Sequence, residues 1–351
     1  MKLSRALSIL LAGAWMATLV ISAQDLATTP TAPEKKGGKR PPPPGVSTPG
    51  VKKEMSAITP ASVFPLPGTP DWQVVTDDAV WVSNGPKNTI HRLDVKTNTI
   101  AATIEVGKRP CSGLTAGFGS VWVPLCGDRP NVENGAKPAL ARVDMKTNAV
   151  VATIPMGIAN SEGGLTTSPD AVWVVNDTKS TLSRIDPKTN KVAAEITVAP
   201  GSVSAIYADG AVWVASPDKS VFTRVDAKTN EVTDTIAIGP KPRFLTAGAG
   251  SVWSLNQGDG TVSRVDTKTR KLVTNIEVGI PGGGGELAFG EGFVWATVFQ
   301  MPISKIDPKT NTVVRQFAGA GGDSIRAAHG SVWLSNLREQ NVWRIDLKLV
   351  E

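Results

Sequence analysis

Two short phrases alternate seven times along the chain, and this repetition limits the fold more than any other feature. The first phrase reads Gly-Ser-Val-Trp at 250–253, and the second reads Arg-Val-Asp-Thr-Lys-Thr at 264–269. The tryptophans of the first phrase are Trp81, Trp122, Trp173, Trp213, Trp253, Trp295 and Trp333. The aspartates of the second phrase are Asp94, Asp144, Asp186, Asp226, Asp266, Asp307 and Asp346. Successive tryptophans are 41, 51, 40, 40, 42 and 38 residues apart. A period near forty residues with strand-like content is typical of a propeller blade.

One repeat, residues 237–279, shows how the sequence predicts a blade. Short strand-like runs at 244–247, 251–255, 261–265 and 272–276 are separated by turn residues. The first turn is Ala249-Gly250, and glycine accepts the positive φ of tight hairpins. The last turn has the form Asp-x-Lys-Thr-Asn in most repeats, and its aspartate is suited to accept backbone N–H groups. Seven repeats of four antiparallel strands, without helical periodicity, predict an all-β, seven-bladed propeller.

The last repeat is incomplete, because the sequence ends at Glu351, soon after Asp346. The segment 62–68 has the sequence expected of the missing fourth strand. We therefore expect it to pair beside 341–346 and close the ring. Closure removes strand edges that would otherwise lack hydrogen-bond partners.

The first 23 residues have the pattern of a signal peptide. Lys2 and Arg5 precede an apolar run from 6 to 21, and Ser22-Ala23 offers a small-residue cleavage site. The alternative is an uncleaved anchor, although the run is short for a membrane span. No later apolar run is as long, so we expect a periplasmic or extracellular protein without a membrane span after cleavage.

Residues 24–60 have the composition of a disordered linker. They contain eight of the chain's 26 prolines, and six basic against three acidic residues. Such a segment buries too little apolar surface to offset the entropy of ordering. It is either an extended spacer or an inert tail. Residues 61–351 contain 29 basic and 28 acidic residues, so the predicted propeller has no charge excess that would indicate a nucleic-acid partner.

The repeated tryptophans allow two interpretations, a packing role or a row of ligand-binding rings. A residue present at one position of every blade indicates packing between blades, where a large ring buries much apolar surface. The same argument favours solvated or blade-bridging ion pairs for the basic residues two positions before each aspartate. These residues are Arg92, Arg142, Arg184, Arg224, Arg264, Lys305 and Arg344.

Blade two departs most from the repeat. Its loop from 127 to 138 accounts for the long spacing, and the two cysteines of the chain, Cys111 and Cys126, lie before and after the hairpin turn Phe118-Gly119. Counting from that turn places the cysteines opposite each other, although Pro124 lacks a ladder donor. In an exported protein, opposed cysteines indicate a disulfide.

Polar residues that break the repeat near the connections between blades are the candidate site residues. The predicted ligand-binding residues are Arg109, Asp128, Arg129, Asn131, Glu133, Arg243 and Asp323. The candidate catalytic residues are Glu286 and Glu162, because perturbed carboxylates act as acids or bases. Four glycines precede Glu286, and they either admit a ligand to the backbone or form a flexible connection with Glu286 in solvent. His91 and His329 belong to different parts of the predicted blades, so no zinc site is expected.

The repeat phrases GSVWVxN and xVxRIDPKTNxVVATIxVG resemble those of the YVTN-repeat, YncE-like propellers. They also look like those of the virginiamycin B lyase (streptogramin lyase) group. The resemblance covers residues 61–351 and implies an exported propeller. For the lyase group it implies Mg²⁺-dependent ring opening of a cyclic depsipeptide by elimination, with a histidine before an inner strand and a nearby glutamate. The matching phrases here are 108–112 and 242–245, which contain no histidine, and the glutamate would be Glu286.

Two functions follow. The first is an exported binding or scaffold module, without a cofactor, that recognises a small molecule, peptide, glycan or another exported protein on its loop face. The alternative is a virginiamycin B lyase-like C–O lyase that uses Mg²⁺. The missing histidine favours the first, since acid–base catalysis needs a placed proton acceptor. We expect a monomer in either case.

Overall fold

Seven antiparallel sheets succeed one another in the computed structural model, which describes residues 44–129, 131–159 and 163–351. Each sheet is one blade, and the strands of a blade follow the chain from the innermost to the outermost. The strands of blades 1 to 3 are β3 (Pro70–Val75), β4 (Ala79–Asn84), β5 (Thr89–Asp94) and β6 (Thr99–Glu105); β7 (Thr115–Gly117), β8 (Ser120–Leu125), β9 (Ala139–Asp144) and β10 (Ala149–Pro155); β11 (Leu165–Thr167), β12 (Val172–Asn176), β13 (Thr181–Asp186) and β14 (Lys191–Thr197). The predicted all-β, seven-bladed propeller is confirmed.

Blades 4 to 7 repeat this arrangement. Their strands are β15 (Ser204–Ala208), β16 (Ala211–Ser216), β17 (Val221–Asp226) and β18 (Val232–Ala237); β19 (Pro242–Gly248), β20 (Ser251–Asn256), β21 (Thr261–Asp266) and β22 (Lys271–Glu277); β23 (Glu286–Gly290), β24 (Phe293–Val298), β25 (Met301–Asp307) and β26 (Thr312–Ala318); β27 (Asp323–Ala328), β28 (Ser331–Asn336) and β29 (Asn341–Asp346). Three 3₁₀ helices are Met55–Ala57, Gly85–Lys87 and Leu347–Val350. No helix in the described part of the chain is both long and apolar enough to span a membrane.

The ring closes as the sequence predicts. Strand β2 (Ser62–Pro65) pairs antiparallel with β29, with Ser62 opposite Arg344 and Phe64 opposite Val342. The Phe64 side chain is buried, and its ring centroid lies 5.8 Å from that of Trp333. The fourth strand of the last blade therefore comes from the N-terminal side of the propeller.

The predicted disordered linker of residues 24–60 is wrong over its second half. Residues 24–43 lie outside the described part, but β1 (Lys52–Glu54) adds a fifth, parallel strand to blade 6, with Lys52 opposite Gln316. Val51, Met55 and Ile58 are 8%, 4% and 6% exposed. These apolar side chains stabilise the segment on blade 6, because burying them removes apolar surface from water. Averaging the composition over the whole segment hid them among the prolines and charges.

The seven repeat tryptophans are fully buried, which confirms the packing interpretation. Each indole Nε1 donates a hydrogen bond to the residue five positions earlier, such as Trp253 to the Gly248 carbonyl oxygen at 3.0 Å. Each ring also carries the cationic group of the basic residue opposite it, 4.8–5.8 Å from its centroid. A buried ring that is hydrogen-bonded and covered by a cation on the protein's own strand is not available to a ligand.

Three of these arginines connect neighbouring blades. Arg264 donates to the Pro308 carbonyl oxygen at 2.6 Å and to Asn311 Oδ1 at 2.7 Å in the next blade. Arg142 and Arg344 make the equivalent contacts from blades 2 and 7. Blades 1 and 3 differ because the second residue of their hairpin turn is an aspartate, which holds the arginine within the blade through Arg92–Asp78 and Arg184–Asp170. The hairpin turns and the Asp-x-Lys-Thr-Asn turns lie on one face, here called the lower face. The connections between blades lie on the opposite, upper face.

Candidate functional site

Each blade places one residue at the upper end of its inner strand or just before it, nine positions before the repeat tryptophan. These residues are Trp72, Gly113, Gly164, Ser204, Phe244, Glu286 and Ser324. The residues one position earlier are Asp71, Ser112, Gly163, Val203, Arg243, Gly285 and Asp323. Both positions vary from blade to blade, unlike the tryptophans, so they give each blade a different chemical group at the channel mouth.

Trp72 extends over the channel from blade 1. Its ring centroid lies 6.2 Å from that of Phe244 in blade 5, and a Cβ at Gly163 of blade 3 would lie 3.8 Å from Trp72 Cη2. The pairing of β3 with β4 shifts by one residue between Pro70 and Gln73. Such a bulge re-aims the side chains beside it. Trp72 lines both a cavity of about 200 Å³ in the channel and a depression on the upper face.

The upper-face depression lies between blades 1 and 2 and has a volume of about 440 Å³. It is lined by Thr69, Asp71, Trp72, Gly85, Pro86, Asn88, Lys108, Arg109, Pro110, Cys111 and Ser112. Its wall therefore combines a carboxyl group, an indole ring, an amide and two basic side chains. A concave site of this size with a few convergent polar groups is typical of small-ligand binding.

The predicted disulfide between Cys111 and Cys126 is present, with the two Cα atoms 6.0 Å apart. The register predicted for it is wrong, because Leu125 pairs with Pro110, whereas placing Cys111 opposite Cys126 would pair Leu125 with Ser112. Positive φ angles of 64° at Ser112 and 111° at Gly113 take the chain out of the ladder before β7 begins. The register on the cysteine side is consequently shifted by two residues, and the bond runs diagonally across the hairpin.

Arg109 lies between two cavities. It lines the upper-face depression and also a cavity of about 280 Å³ beneath the blade-two loop, between blades 2 and 3. Its backbone has a φ of 56° and its N–H donates to Asn88 Oδ1 at 2.9 Å. Its Nη2 donates a long hydrogen bond, 3.4 Å, to the Cys126 carbonyl oxygen, and its buried Nε has no partner among the described residues. Among the residues that the structure describes, Arg109 makes no ion pair.

The other predicted residues of the blade-two loop occupy different environments. Asp128 and Arg129 line the smaller cavity, whereas Asn131 and Glu133 are exposed. Asp128 forms a salt bridge with Lys108 at 3.2 Å and accepts the Ala136 N–H at 3.0 Å. The Ala136 N–H lowers the pKa of Asp128, so the carboxylate stays charged and ties the two ends of the loop together.

Asp323 and Asp71 hold equivalent positions in adjacent blades, and their carboxyl groups hydrogen-bond to each other. Asp323 is 7% exposed and also accepts the Gly285 N–H. Burial raises the pKa of Asp323, and the Asp71 hydrogen bond, the Gly285 N–H and nearby Arg338 oppose this rise. Asp71, in turn, lines the upper-face depression.

Glu286 is buried rather than in solvent, so the flexible, solvated alternative for it is wrong. Its Oε1 lies 2.5 Å from Arg326 Nη1, and its Oε2 accepts the Ser324 hydroxyl and, at 3.1 Å, the Ile325 N–H. Burial raises the pKa of Glu286, while Arg326 and these donors stabilise its charged form. Both oxygens are engaged in joining blade 6 to blade 7, which leaves little capacity for a catalytic proton transfer or a metal bond.

The remaining predicted residues add little to the depression. Arg243 is half-buried at the channel mouth in blade 5, and Glu162 lies outside the described residues. His91, in β5, contacts Thr89 and Thr103, and His329 contacts the Thr76 carbonyl oxygen on the lower face. Across 44–129, 131–159 and 163–351, no three histidine, cysteine, aspartate or glutamate side chains gather closely enough to hold a metal ion.

Asp71, Trp72, Asn88 and Lys108 belong to the depression but are not among the residues predicted from the sequence. A signal for two of them was present. The phrase Pro70-Asp71-Trp72 aligns with Pro242-Arg243-Phe244, and blade 1 is the blade with a tryptophan at this inner-strand position. Asn88 and Lys108 follow no such pattern. Lys108 directly precedes Arg109 in the sequence, and Asn88 meets Arg109 through the hydrogen bond from the Arg109 backbone N–H.

The comparison with solved structures gives lyase propellers as neighbours. A streptogramin B lyase has a TM-score of 0.65 and 17% identity, covering 81% of this chain and 96% of that one. Virginiamycin B lyase from Staphylococcus aureus has a TM-score of 0.63 and 16% identity, covering 81% and 98%. The chain shares the fold of these lyases. No protein-family model and no curated protein sequence matches it.

Proposed function

We propose that this chain is an exported binding module that holds a small polar ligand on the upper face of its propeller, around Arg109. The observation that carries the proposal is the position of Arg109, which lines both upper-face cavities while making no ion pair with a described residue. A buried or half-buried guanidinium costs free energy unless a partner satisfies it. A ligand with a carboxylate or another oxygen acceptor would supply that partner.

The surroundings of Arg109 favour binding because they are already ordered. The disulfide joins its hairpin, Asn88 Oδ1 accepts its backbone N–H, and Asp128 joins the loop to Lys108. Restricting these groups before binding lowers the ordering cost that a ligand must offset. The disulfide also supports export, since such bonds persist in oxidising compartments. The ligand classes proposed are a small molecule, a peptide, a glycan or a segment of another exported protein.

Native mass spectrometry with a panel of dipeptides and neutral disaccharides tests this proposal. We expect at least one class to bind the wild-type chain and Arg109→Gln to weaken its binding about tenfold or more, as for loss of a charge-assisted hydrogen bond. Arg129→Gln is the matched control, because Arg129 lines the smaller cavity and not the upper-face depression. Equal binding by wild type and Arg109→Gln would contradict the proposal. A loss caused by Arg129→Gln as well would move the ligand into the smaller cavity.

A second candidate is a virginiamycin B lyase-like C–O lyase with Mg²⁺, which the shared fold favours. Its weakness is the acidic set on the upper face, where Glu286 is bound by Arg326 and Asp323 by Asp71. Incubation with virginiamycin B, with and without added Mg²⁺, followed by reversed-phase chromatography, separates the two functions. Conversion of virginiamycin B that requires Mg²⁺ would establish the lyase activity. Unchanged virginiamycin B would favour the binding function.

A further inference from the structure

The arginines that cover the repeat tryptophans have two different arrangements on the lower face, and the sequence of the hairpin turn distinguishes them. In blades 2, 5 and 7 the turn ends in Gly-Ser, at 119–120, 250–251 and 330–331. The serine hydroxyl accepts a hydrogen bond from the arginine Nε at 2.8–3.0 Å. The arginine Nη1 donates to the asparagine Oδ1 of the next blade at 2.7–3.0 Å. These three guanidinium groups therefore fasten one blade to the next.

Blades 1 and 3 have Asp-Ala instead of Gly-Ser, at 78–79 and 170–171. The aspartate holds the arginine of its own blade, at 2.6 Å for Arg92 and 2.7 Å for Arg184. The guanidinium carbons of these two arginines lie 5.8 and 5.7 Å from the tryptophan ring centroid, against 4.8–5.0 Å in blades 2, 5 and 7. The guanidinium group thus occupies a different position when an aspartate holds it.

The arrangement in blades 1 and 3 leaves buried polar atoms without a partner among the described residues. They are the Nε atoms of Arg92 and Arg184, and the Oδ1 atoms of Asn148 in blade 2 and Asn230 in blade 4. In the bridging blades, the equivalent atoms are all hydrogen-bonded. Unpaired buried polar groups cost free energy, whereas an ion pair with an exposed aspartate contributes little. Each arrangement therefore gives up contacts that the other gains.

Contacts between neighbouring blades, here called seams, differ in how they are fastened on the lower face. Arginines bridge seams 2/3, 5/6 and 7/1. Arg270 pairs with Asp234 at 3.4 Å across seam 4/5, and Glu291 accepts the Gly330 N–H at 2.9 Å across seam 6/7. The arginines of blades 1 and 3 make no contact of this kind, so seams 1/2 and 3/4 are unfastened on this face among the described residues. Blades 2 and 3 are fastened to each other there, but not to blades 1 and 4.

The two unfastened seams enclose the part of the ring that carries Arg109, and the upper-face depression lies at one of them, between blades 1 and 2. We propose that blades 2 and 3 shift as one unit against the other five blades, and that this shift sets the width of the depression. In the shift, Arg92 and Arg184 pass from the aspartate of their own blade to the asparagine of the next. Packed interfaces change between discrete arrangements, and an arginine with two sets of partners provides them. The role of the shift in ligand access rests on the proposed function.

Double electron–electron resonance of the spin-labelled, ligand-free chain measures the distance across each seam. The labels replace exposed lysines at one position of the repeated turn, where the turn aspartate holds the lysine N–H in every case. The native cysteines are joined in the disulfide and take no label. The cysteine pairs are 96 with 146 and 188 with 228 across the unfastened seams, and 146 with 188 and 268 with 309 across fastened seams. We expect broader distance distributions across the two unfastened seams.

A variant with the turn sequence of the bridging blades tests the arginine directly. Asp78→Gly with Ala79→Ser gives blade 1 a Gly-Ser turn and should move Arg92 onto Asn148. The distribution across seam 1/2 should then become as narrow as that across seam 2/3, while seam 3/4 keeps its width. Arg142→Gln is the converse variant, because it removes the bridge across seam 2/3 and should broaden the distribution there. Circular dichroism spectra that match the wild type show that the variants fold.

A label pair on the upper face tests the effect on the depression. Lys87, beside the blade-1 wall of the depression, and Lys137, in the blade-two loop, are both exposed. The distance distribution of Lys87→Cys with Lys137→Cys should narrow in the Gly-Ser variant together with that of the lower face. An unaltered upper-face distribution, while the lower face narrows, would contradict the proposed link to the depression.

Two further results would overturn the shift itself. They are equal widths across fastened and unfastened seams in the wild type, and a seam 1/2 distribution that the Gly-Ser variant leaves unchanged. Because every measurement uses the ligand-free chain, these outcomes are separate from those of the ligand panel. A confirmed shift in a chain that binds no panel compound would reject the proposed function alone. A rigid ring that binds a panel compound would reject this inference alone.

Discussion

Trp72 of blade 1 packs against Phe244 of blade 5 with ring centroids 6.2 Å apart, so two non-adjacent blades meet over the channel. Trp72 lies within a register shift of its inner strand, between Pro70 and Gln73, and Phe244 directly follows one, between Pro242 and Phe244. In blades 2 and 3 the equivalent positions are Gly113 and Gly164, which carry no side chain. The contact separates the upper-face depression from the channel and places the Trp72 indole in the walls of both.

The first prediction concerns this contact. Trp72→Ala should lower the free energy of unfolding by about 3–5 kcal/mol, because it truncates a large buried ring. It should also weaken the binding of any ligand held in the depression. Chemical denaturation followed by circular dichroism measures the first effect. Trp253→Ala is the control, since it should cost a similar amount of stability and leave ligand binding unchanged. Full stability of Trp72→Ala would mean that the ring is not packed as described.

The second prediction tests ring closure by comparing alanine variants at two neighbouring residues of β2. Phe64 is 3% exposed against Trp333, whereas Val63 is 48% exposed. Phe64→Ala should therefore cost about 3–5 kcal/mol of stability, and Val63→Ala should change it by less than about 0.5 kcal/mol. Urea denaturation of both variants provides the measurement. Similar midpoints for Phe64→Ala and Val63→Ala would show that β2 does not close the ring.

The disulfide provides a third prediction. It closes a loop with a sequence separation of 15, for which the chain-entropy model gives at most about 3 kcal/mol. Because the hairpin already holds these ends together, a Cys111→Ser, Cys126→Ser variant should keep the propeller fold and lose less stability than this. Ligand binding should weaken as the Arg109 hairpin loosens. Intact-mass analysis after alkylation, with and without reductant, checks the bond in protein purified without reductant, and two freely alkylated thiols before reduction would refute it.

A fourth prediction concerns pH. Backbone N–H groups of Thr269 and Lys268, together with the Thr269 hydroxyl, lower the pKa of Asp266 below its ordinary value. A carboxylate with a lowered folded-state pKa contributes stability that is present above its unfolded pKa and is lost as the pH falls through the folded value. Asp266→Asn should thus destabilise the chain near pH 7, and its difference from wild type should shrink below about pH 4. Denaturation midpoints of wild type and Asp266→Asn between pH 7 and about pH 3 test this prediction. A stability difference between the two that grows as the pH falls would contradict it.

The repeating part of the fold was predictable from the sequence because every blade uses the same residue types for its packing and its turns. Trp253, the Ala249-Gly250 turn and the Asp266 turn recur with their neighbours, so one repeat predicts the others. Ring closure followed from a missing strand and a matching segment. The parallel strand at 52–54 did not, because the three buried apolar residues that flank it, Val51, Met55 and Ile58, lie within a sequence dominated by prolines and charges.

The candidate site was only partly predictable. Arg109, the cysteines and the blade-two loop stood out because they interrupt the repeat. The Asp71–Asp323 hydrogen bond joins residues about 250 positions apart in the sequence, which ring closure brings into adjacent blades. Glu286 looked like a free carboxylate after a glycine run, and its ion pair with Arg326 depends on the packing of blade 6 against blade 7. Contacts of this kind arise from the ring, not from any single repeat.

The most direct test of the binding-module account is a crystal structure of the chain soaked with the compound that binds best in the mass-spectrometric panel. The account predicts ligand density in the depression between blades 1 and 2, in contact with Trp72, Asp71 and the Arg109 guanidinium. Density on the lower face instead, such as in the cavity of about 710 Å³ beside Phe118 and Arg184, would contradict it.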